Sequence, residues 1–308
     1  MTRRITVVGA GVIGLTTALE LAAAGHDVTV ISAAPPAATT SAVAGAVWFP
    51  YHAGPPDRVV AWAARSRARW QALAADRDAG VDLIDGFELA ASPAPPWWLA
   101  AVADARRGTA PVPGAPAAWC FTAPRVEPAR FLPWAEARLP RPIVYRRVSR
   151  LADVDGDRVV NCTGLAARAL TGDAALHAVR GQIAIAAPGG CDLGRTITDD
   201  RPPGPIFYVI PRRGELVLGG TTDDVADDDP GVPDPAVRAR ILAQARQLGL
   251  APGPVLADRV GLRPARPEVR LEVDPADRRI VHHYGHGGAG YTLAWGCAED
   301  VAALCAAS

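Results

Sequence analysis

Residues 4–14 read "RITVVGAGVIG": a short β-branched run feeds three glycines, Gly9, Gly11 and Gly14. "VIGLTTALELAAAG" continues with helical spacing to Gly25, and "HDVTVIS" is a second β-branched run. Together they predict a βαβ unit of about 30 residues. In such a unit the first glycine allows the turn, the second lets backbone approach a pyrophosphate, and the third lets helix pack on strand. The helix start adds free N–H groups and partial positive charge. Gly9, Ala10, Gly11, Val12, Ile13 and Gly14 are therefore candidate phosphate-cradle residues. The same six residues could be a plain tight turn, but the strand before and the helix after favour the cradle. The acidic residue that usually ends the second strand and holds an adenosine ribose is missing, because that end reads "ISAAPP". Ser32, local backbone or no contact at all remain open there.

Further along, 58–78 reads as an Arg-rich amphipathic helix and 91–119 as Pro/Ala-rich surface connections. "RVVNCTG" (158–164) is another strand ended by glycine, and "YVIP" with "ELVLGG" predicts an antiparallel hairpin across "RRG". A helix is expected over about 235–248, a strand at "DRRIVHHYG", and a closing helix over about 291–306. Strands that feed glycines thus lie at both ends and in the middle of the chain. The fold class expected is α/β, a Rossmann-like nucleotide-binding domain of discontinuous segments (1–50, 141–186 and 259–308). A second, α+β domain around an antiparallel sheet (51–140 and 187–258) completes it.

With 308 residues, 49% of them apolar, the chain can bury a large core. Formal net charge is zero and all 32 basic residues are arginine, so no field for nucleic acid or an anionic membrane is expected. That composition reads as a GC-rich bacterial genome. Five scattered cysteines without a CxxC pair suggest reduced thiols and a cytoplasmic protein. The N-terminal apolar run breaks into glycines and does not read as a signal peptide. No apolar stretch is long enough to span a bilayer. The closing "CAAS" matches a prenylation box on Cys305 but lacks a polybasic stretch upstream.

Four other stretches carry candidate chemistry. "TTSAVAGAVWFPY" (39–51) offers Thr39, Thr40, Ser41, Ala44 and Gly45 for a second pass against a phosphate or ring edge; a polar loop entering a helix explains it equally well. "VGLRPARPEVRLE" (260–272) carries three arginines, whose planar forks suit a carboxylate. Arg263 is the candidate among them, with Arg266 and Arg270 read as a solvated strand face. Tyr208 opens "YVIP", where a half-buried strand tyrosine is the simpler reading. "HHYGH" invites a metal reading, but no carboxylate or thiol partner lies nearby in sequence and none is expected.

In order, "VVGAGVIGLTTALEL", "TTSAVAGAVWFPY", "VNCTGLAAR", "RGQI", "YVIPRRGELVLGGT", "VGLRPARPEVRLE" and "YGHGGAGYTLAWGCA" resemble the D-amino-acid oxidase family of FAD enzymes. The resemblance runs from residue 5 to about 298, and its last two motifs are specific. It implies non-covalent FAD and oxidation of a D-amino acid to the imino acid, with O₂ reduced to H₂O₂. It further implies that Arg263 and Tyr208 hold the substrate carboxylate and that the Gly288 carbonyl accepts from the substrate amine. Val160, Thr163, Gly164, Gly287, Gly290, Tyr291 and Thr292 join the residues above as FAD contacts, the last three through N–H groups facing the flavin N1/O2 edge.

Four departures from the family pattern bear on specificity. Gly204 stands where eukaryotic members often carry a lid tyrosine, and Phe49 where several relatives have glutamine. Thr222 and Gly288 stand where the D-aspartate branch tends to have arginine and serine, which points to neutral substrates. Arg195, Arg201, Arg212 and Arg213 have no assigned place. Competing expectations are a flavin oxidase for D-aspartate, glycine or sarcosine, an NAD-dependent dehydrogenase, and a non-catalytic nucleotide-binding protein. Oligomeric state is not legible.

Overall fold

The computed structural model describes residues 1–50, 53–114, 116–201, 205–226 and 229–307. Its strands are β1 (Arg4–Val8), β2 (Asp27–Ser32), β3 (Val81–Leu89), β4 (Arg106–Thr109), β5 (Ala117–Val126), β6 (Val144–Tyr145) and β7 (Arg158–Asn161). They continue with β8 (His177–Ala186), β9 (Arg195–Asp199), β10 (Phe207–Arg212), β11 (Glu215–Gly219), β12 (Asp223–Val225), β13 (Val255–Val273) and β14 (Ile280–His286). The helices are α1 (Val12–Ala23), α2 (Pro56–Leu73), α3 (Pro128–Glu136), α4 (Ala167–Thr171), α5 (Pro235–Gln247) and α6 (Gly290–Ala306).

The strands form one sheet in the order β4-β5-β3-β9-β10-β11-β8-β13-β14-β7-β1-β2-β6, with β12 branching from β8. From β14 to β6 neighbouring strands run parallel; from β5 to β13 they run antiparallel, save for β3 beside β9. β13, 19 residues long, joins the two regions. Its first part pairs with β8 and its last part with β14, and Ala265 pairs with both His177 and His286. This handover sets Arg263 beside the glycine stretch that follows β14.

The βαβ unit forms as its local chemistry dictates. β1 is β-branched and buried along four of its five residues, and left-handed Gly25 (φ 84°) follows the end of α1. α6 packs between α1 and α2. It crosses α2 so closely that a Cβ on Gly296 would sit 2.2 Å from the Trp62 carbonyl oxygen. The largest core cluster joins these helices to aromatics from both regions, including Trp62, Trp70, Phe121, Phe131 and Trp295.

The Pro/Ala-rich stretch is not surface connection throughout. It contains β4 and the start of β5 and buries Trp98, Val112 and Trp119. Nor is the 260–272 strand face simply solvated. Arg266 and Arg270 share Asp173, whose side chain is 6% exposed, at 2.9 and 3.7 Å. Cys305 is buried inside α6, out of reach of a lipid-attaching enzyme. No helix among the described residues is long and apolar enough to cross a membrane.

Candidate cofactor and substrate site

One cavity of about 500 Å³ is lined at one end by the turn after β1 and at the other by β8, β10 and β13. Two glycines of the turn are fixed by close approach. Gly9 is left-handed (φ 115°), and a Cβ there would lie 2.3 Å from the Cys162 carbonyl oxygen. A Cβ on Gly14 would lie 1.9 Å from the Gly9 carbonyl oxygen. The segment 39–50 is bound to this turn and to α6. Ser41 Oγ accepts the Val12 N–H at 2.9 Å, the Tyr291 hydroxyl donates to the Ser41 carbonyl at 3.1 Å, and Thr292 Oγ1 donates to the Phe49 carbonyl at 2.7 Å.

At the far end the Arg263 guanidinium lies flat on the β8 backbone, where a Cβ on Gly181 would be 2.3 Å from its Nη2. Its Nη1 donates to the Thr221 carbonyl at 2.7 Å. Among the described residues no carboxylate comes within ion-pair range of it. Tyr208 lies over its cross-strand partner Gly219, whose added Cβ would be 2.2 Å from the ring, and its hydroxyl has no hydrogen-bond partner among the described residues. Val47, Phe49, Ile183, Ile206 and Ile210 supply apolar walls, and Trp98 braces Phe49 edge-on at 5.4 Å. The end therefore combines an uncompensated cation, a free phenol and apolar surface, which suits a carboxylate attached to an uncharged side chain.

The arginines left without a place in sequence all have partners: Arg195 pairs with Asp192, Arg201 with Asp199, Arg212 with Glu215, and Arg213 with Asp82. None of the four lines the cavity. Gly204 lies outside the described residues.

Most residues expected from sequence line the cavity together: Gly9, Ala10, Gly11, Val12, Ile13, Ser32, Thr39, Thr40, Ser41, Ala44, Gly45, Thr163, Gly164, Tyr208, Arg263, Gly287, Gly288, Gly290 and Tyr291. Three do not. Gly14 is turned against the Gly9 carbonyl. Val160 is in mid-sheet, paired with Val7 and Val281. Thr292 is tied to Phe49.

Sequence reasoning missed Arg146 and Arg147, exposed residues that line the cavity beside Ser32. Their backbone meets the end of β2 through the Arg146 N–H to Ser32 carbonyl bond, 3.0 Å. No motif marks them; a basic pair directly after a short parallel strand was the available signal. Ser32 Oγ is occupied by a bond to the Ala34 carbonyl at 2.7 Å. The histidine reading also needs correction. Asp274 Oδ2 lies 2.8 Å from His282 Nε2, and the Cys297 thiol lies near His283 and His286, so "HHYGH" has both a carboxylate and a thiol partner. Burial lowers His283 well below the ordinary imidazole value and brings His286 to about 3, so both are neutral.

A family model described as FAD dependent oxidoreductase matches residues 4–304. The chain is 43% identical to a D-amino-acid oxidase of Rubrobacter xylanophilus, over 99% of this chain and 96% of that one. It is 40% identical to a D-amino-acid oxidase of Streptomyces coelicolor, over 97% and 96%. The glycine oxidase of Bacillus cereus shares the fold, with a TM-score of 0.79 at 19% identity over 98% of this chain and 94% of that structure.

Proposed function

The chain belongs to the FAD dependent oxidoreductase family, and we infer that it oxidises neutral D-amino acids to imino acids, passing the electrons to O₂. The observation that carries this reading is Arg263, which has no carboxylate partner among the described residues and lines one cavity with Tyr208, apolar side chains and, at its other end, the glycine turn. The relatives named D-amino-acid oxidase support it.

The residues present fit FAD. A glycine-rich turn at a helix start suits a pyrophosphate, and the glycine-rich stretch 287–290 suits a flat ring. Bound FAD would accept hydride from the substrate Cα and return the electrons to O₂ as H₂O₂. Gly9 to Ile13 and the 39–45 segment would hold its phosphates, and Arg146 and Arg147 its adenosine end. Arg263 and Tyr208 grip the substrate carboxylate, which fixes which Cα bond faces the ring. The Gly288 carbonyl orients the amine in its neutral form, so no side-chain base is required. The N-terminus of α6 favours negative charge developing beside it, by up to about 2 kcal/mol. Val47, Phe49, Ile206 and Ile210 exclude water around an apolar substituent. A nucleotide-binding unit built from 1–50, 141–186 and 259–308, with the remainder forming the substrate unit, is the division we assign to this chemistry.

The test is an absorbance scan of the purified protein under anaerobic conditions with a panel of D-amino acids. A yellow protein bleached by D-alanine or D-valine, and recoloured by air with formation of H₂O₂, is expected. A protein that carries flavin but is bleached by none of the panel would overturn the reading. The flavin is non-covalent in this reading: acid precipitation should leave it in the supernatant.

A further inference from the structure

Behind the glycine stretch, His283 and His286 of β14 meet Cys297 of α6. One ligating atom from each lies within 4.8 Å of the others. His283 and Cys297 are 0% exposed and His286 is 3% exposed. Nε2 of both imidazoles is sealed from solvent and has no hydrogen-bond partner among the described residues. Two such orphans side by side are costly unless something fills them.

The tautomer of His283 follows from its neighbour. Thr17 Oγ1 lies 2.7 Å from the Ile13 carbonyl, to which it donates, and 3.0 Å from His283 Nδ1, with the Cys162 thiol 3.9 Å from the same nitrogen; with its proton on the carbonyl, Thr17 accepts from Nδ1. In that arrangement Nδ1 carries the proton and the sealed Nε2 presents a lone pair. A histidine whose second nitrogen donates to a fixed acceptor is the usual arrangement behind a metal ligand. The two rings are nearly perpendicular, at 70° with centroids 4.9 Å apart.

We propose that His283, His286 and Cys297 form a binding site for a borderline-soft divalent cation, Zn²⁺ or Co²⁺. Two imidazoles and one thiolate suit such ions and leave a fourth position for water. Coordination expels the Cys297 proton to solvent. Zn–N distances of about 2.0 Å and Zn–S of about 2.3 Å require the donor atoms to draw together by roughly 1 Å. His283 and His286 also line the cavity behind its glycine stretch, but the site lies outside the carboxylate-binding end at Arg263 and Tyr208, and nothing in the oxidation chemistry calls for it.

The holoenzyme, stripped with a chelator and desalted, is loaded with Zn²⁺ and passed through gel filtration. One equivalent of zinc per chain should be retained by elemental analysis. Loading with Co²⁺ should give d–d absorption of four-coordinate strength, to the red of the flavin bands. Cys297→Ala and His283→Asn should each weaken retention at least ten-fold; Cys191→Ala should leave it unchanged. Near-UV circular dichroism and flavin content establish that each variant is folded. His283→Asn, which keeps a donor for Thr17, decides the matter if Cys297→Ala does not fold. Folded wild-type protein that keeps no zinc, or folded variants that keep as much as wild type, overturns the proposal.

Discussion

At the scale of single residues, Arg263 is held by what surrounds it. Removing one partner of a buried charge pair costs roughly 2–5 kcal/mol, so Arg263→Ala should lower kcat/KM by about 30- to several-thousand-fold. Arg263→Lys keeps the charge but loses the fork, and should recover only part. Steady-state kinetics on flavin-replete protein checks both, and a loss under about three-fold would remove Arg263 from its role. Gly181 should matter nearly as much without touching substrate. A methyl there would collide with the guanidinium, 2.3 Å away, and displace it. A displacement near 1 Å can cost on the order of 10²-fold, so Gly181→Ala should lose turnover while flavin content and melting temperature stay near wild type. Asp173 is the corresponding structural residue. Burial alone would raise its carboxyl, but the Tyr284 hydroxyl and Arg266 hold it below the ordinary 3.8. The unfolded chain takes up that proton first, so this stabilisation is complete above 3.8 and fades as pH falls further. Asp173→Ala removes the carboxylate that pairs with Arg266, leaves Arg270 to Glu272 and the Tyr284 hydroxyl, and should cost up to roughly 3–5 kcal/mol at neutral pH in denaturant unfolding. The variant's remaining stability should also vary less with pH below 3.8.

At the scale of elements, the start of α1 depends on a residue 29 positions away, since Ser41 Oγ accepts the Val12 N–H. Replacing such a cap costs about 0.5–2 kcal/mol. Ser41→Ala should lower the melting temperature and weaken FAD retention together, as read by thermal unfolding and by flavin released on dilution. The contrast between α1 itself and its cap shows what could be read in the sequence. β1, α1 and β2 were legible because their signals are local: β-branched runs, glycine spacing, helical periodicity. So was the hairpin of β10 and β11. β5 was not, because long-range pairing with β3 and the burial of Trp119 and Phe121 make a strand of an Ala- and Pro-containing stretch. The site followed the same division. Glycines and Arg263 stood in recognisable motifs, whereas Arg146, Arg147 and the Gly181 platform depend on sheet register. Val160 failed as a cavity residue for that reason too, since its mid-sheet position is set by pairing on both sides.

Across the whole molecule, charge is distributed so that, among the described residues, Arg263 at the substrate end has no acid partner while Arg195, Arg201, Arg212 and Arg213 are each engaged by one. A second carboxylate on the substrate would meet Phe49, Ile206 and Ile210 rather than a guanidinium. D-Alanine, D-valine and D-phenylalanine should therefore exceed D-aspartate in kcat/KM, and the opposite order would remove the neutral-substrate assignment. β13 has a consequence for how such a molecule can diversify. A 19-residue strand that belongs to both regions of the sheet leaves no seam at which one region could be exchanged for that of a distant cousin. A crossover inside it would carry Arg263 from one parent against a β8 surface from the other, and the fit over Gly181 would survive only if both parents shared it. New substrate preferences on this scaffold are thus expected to accumulate one side chain at a time around the cavity wall, with the anchoring strand inherited whole.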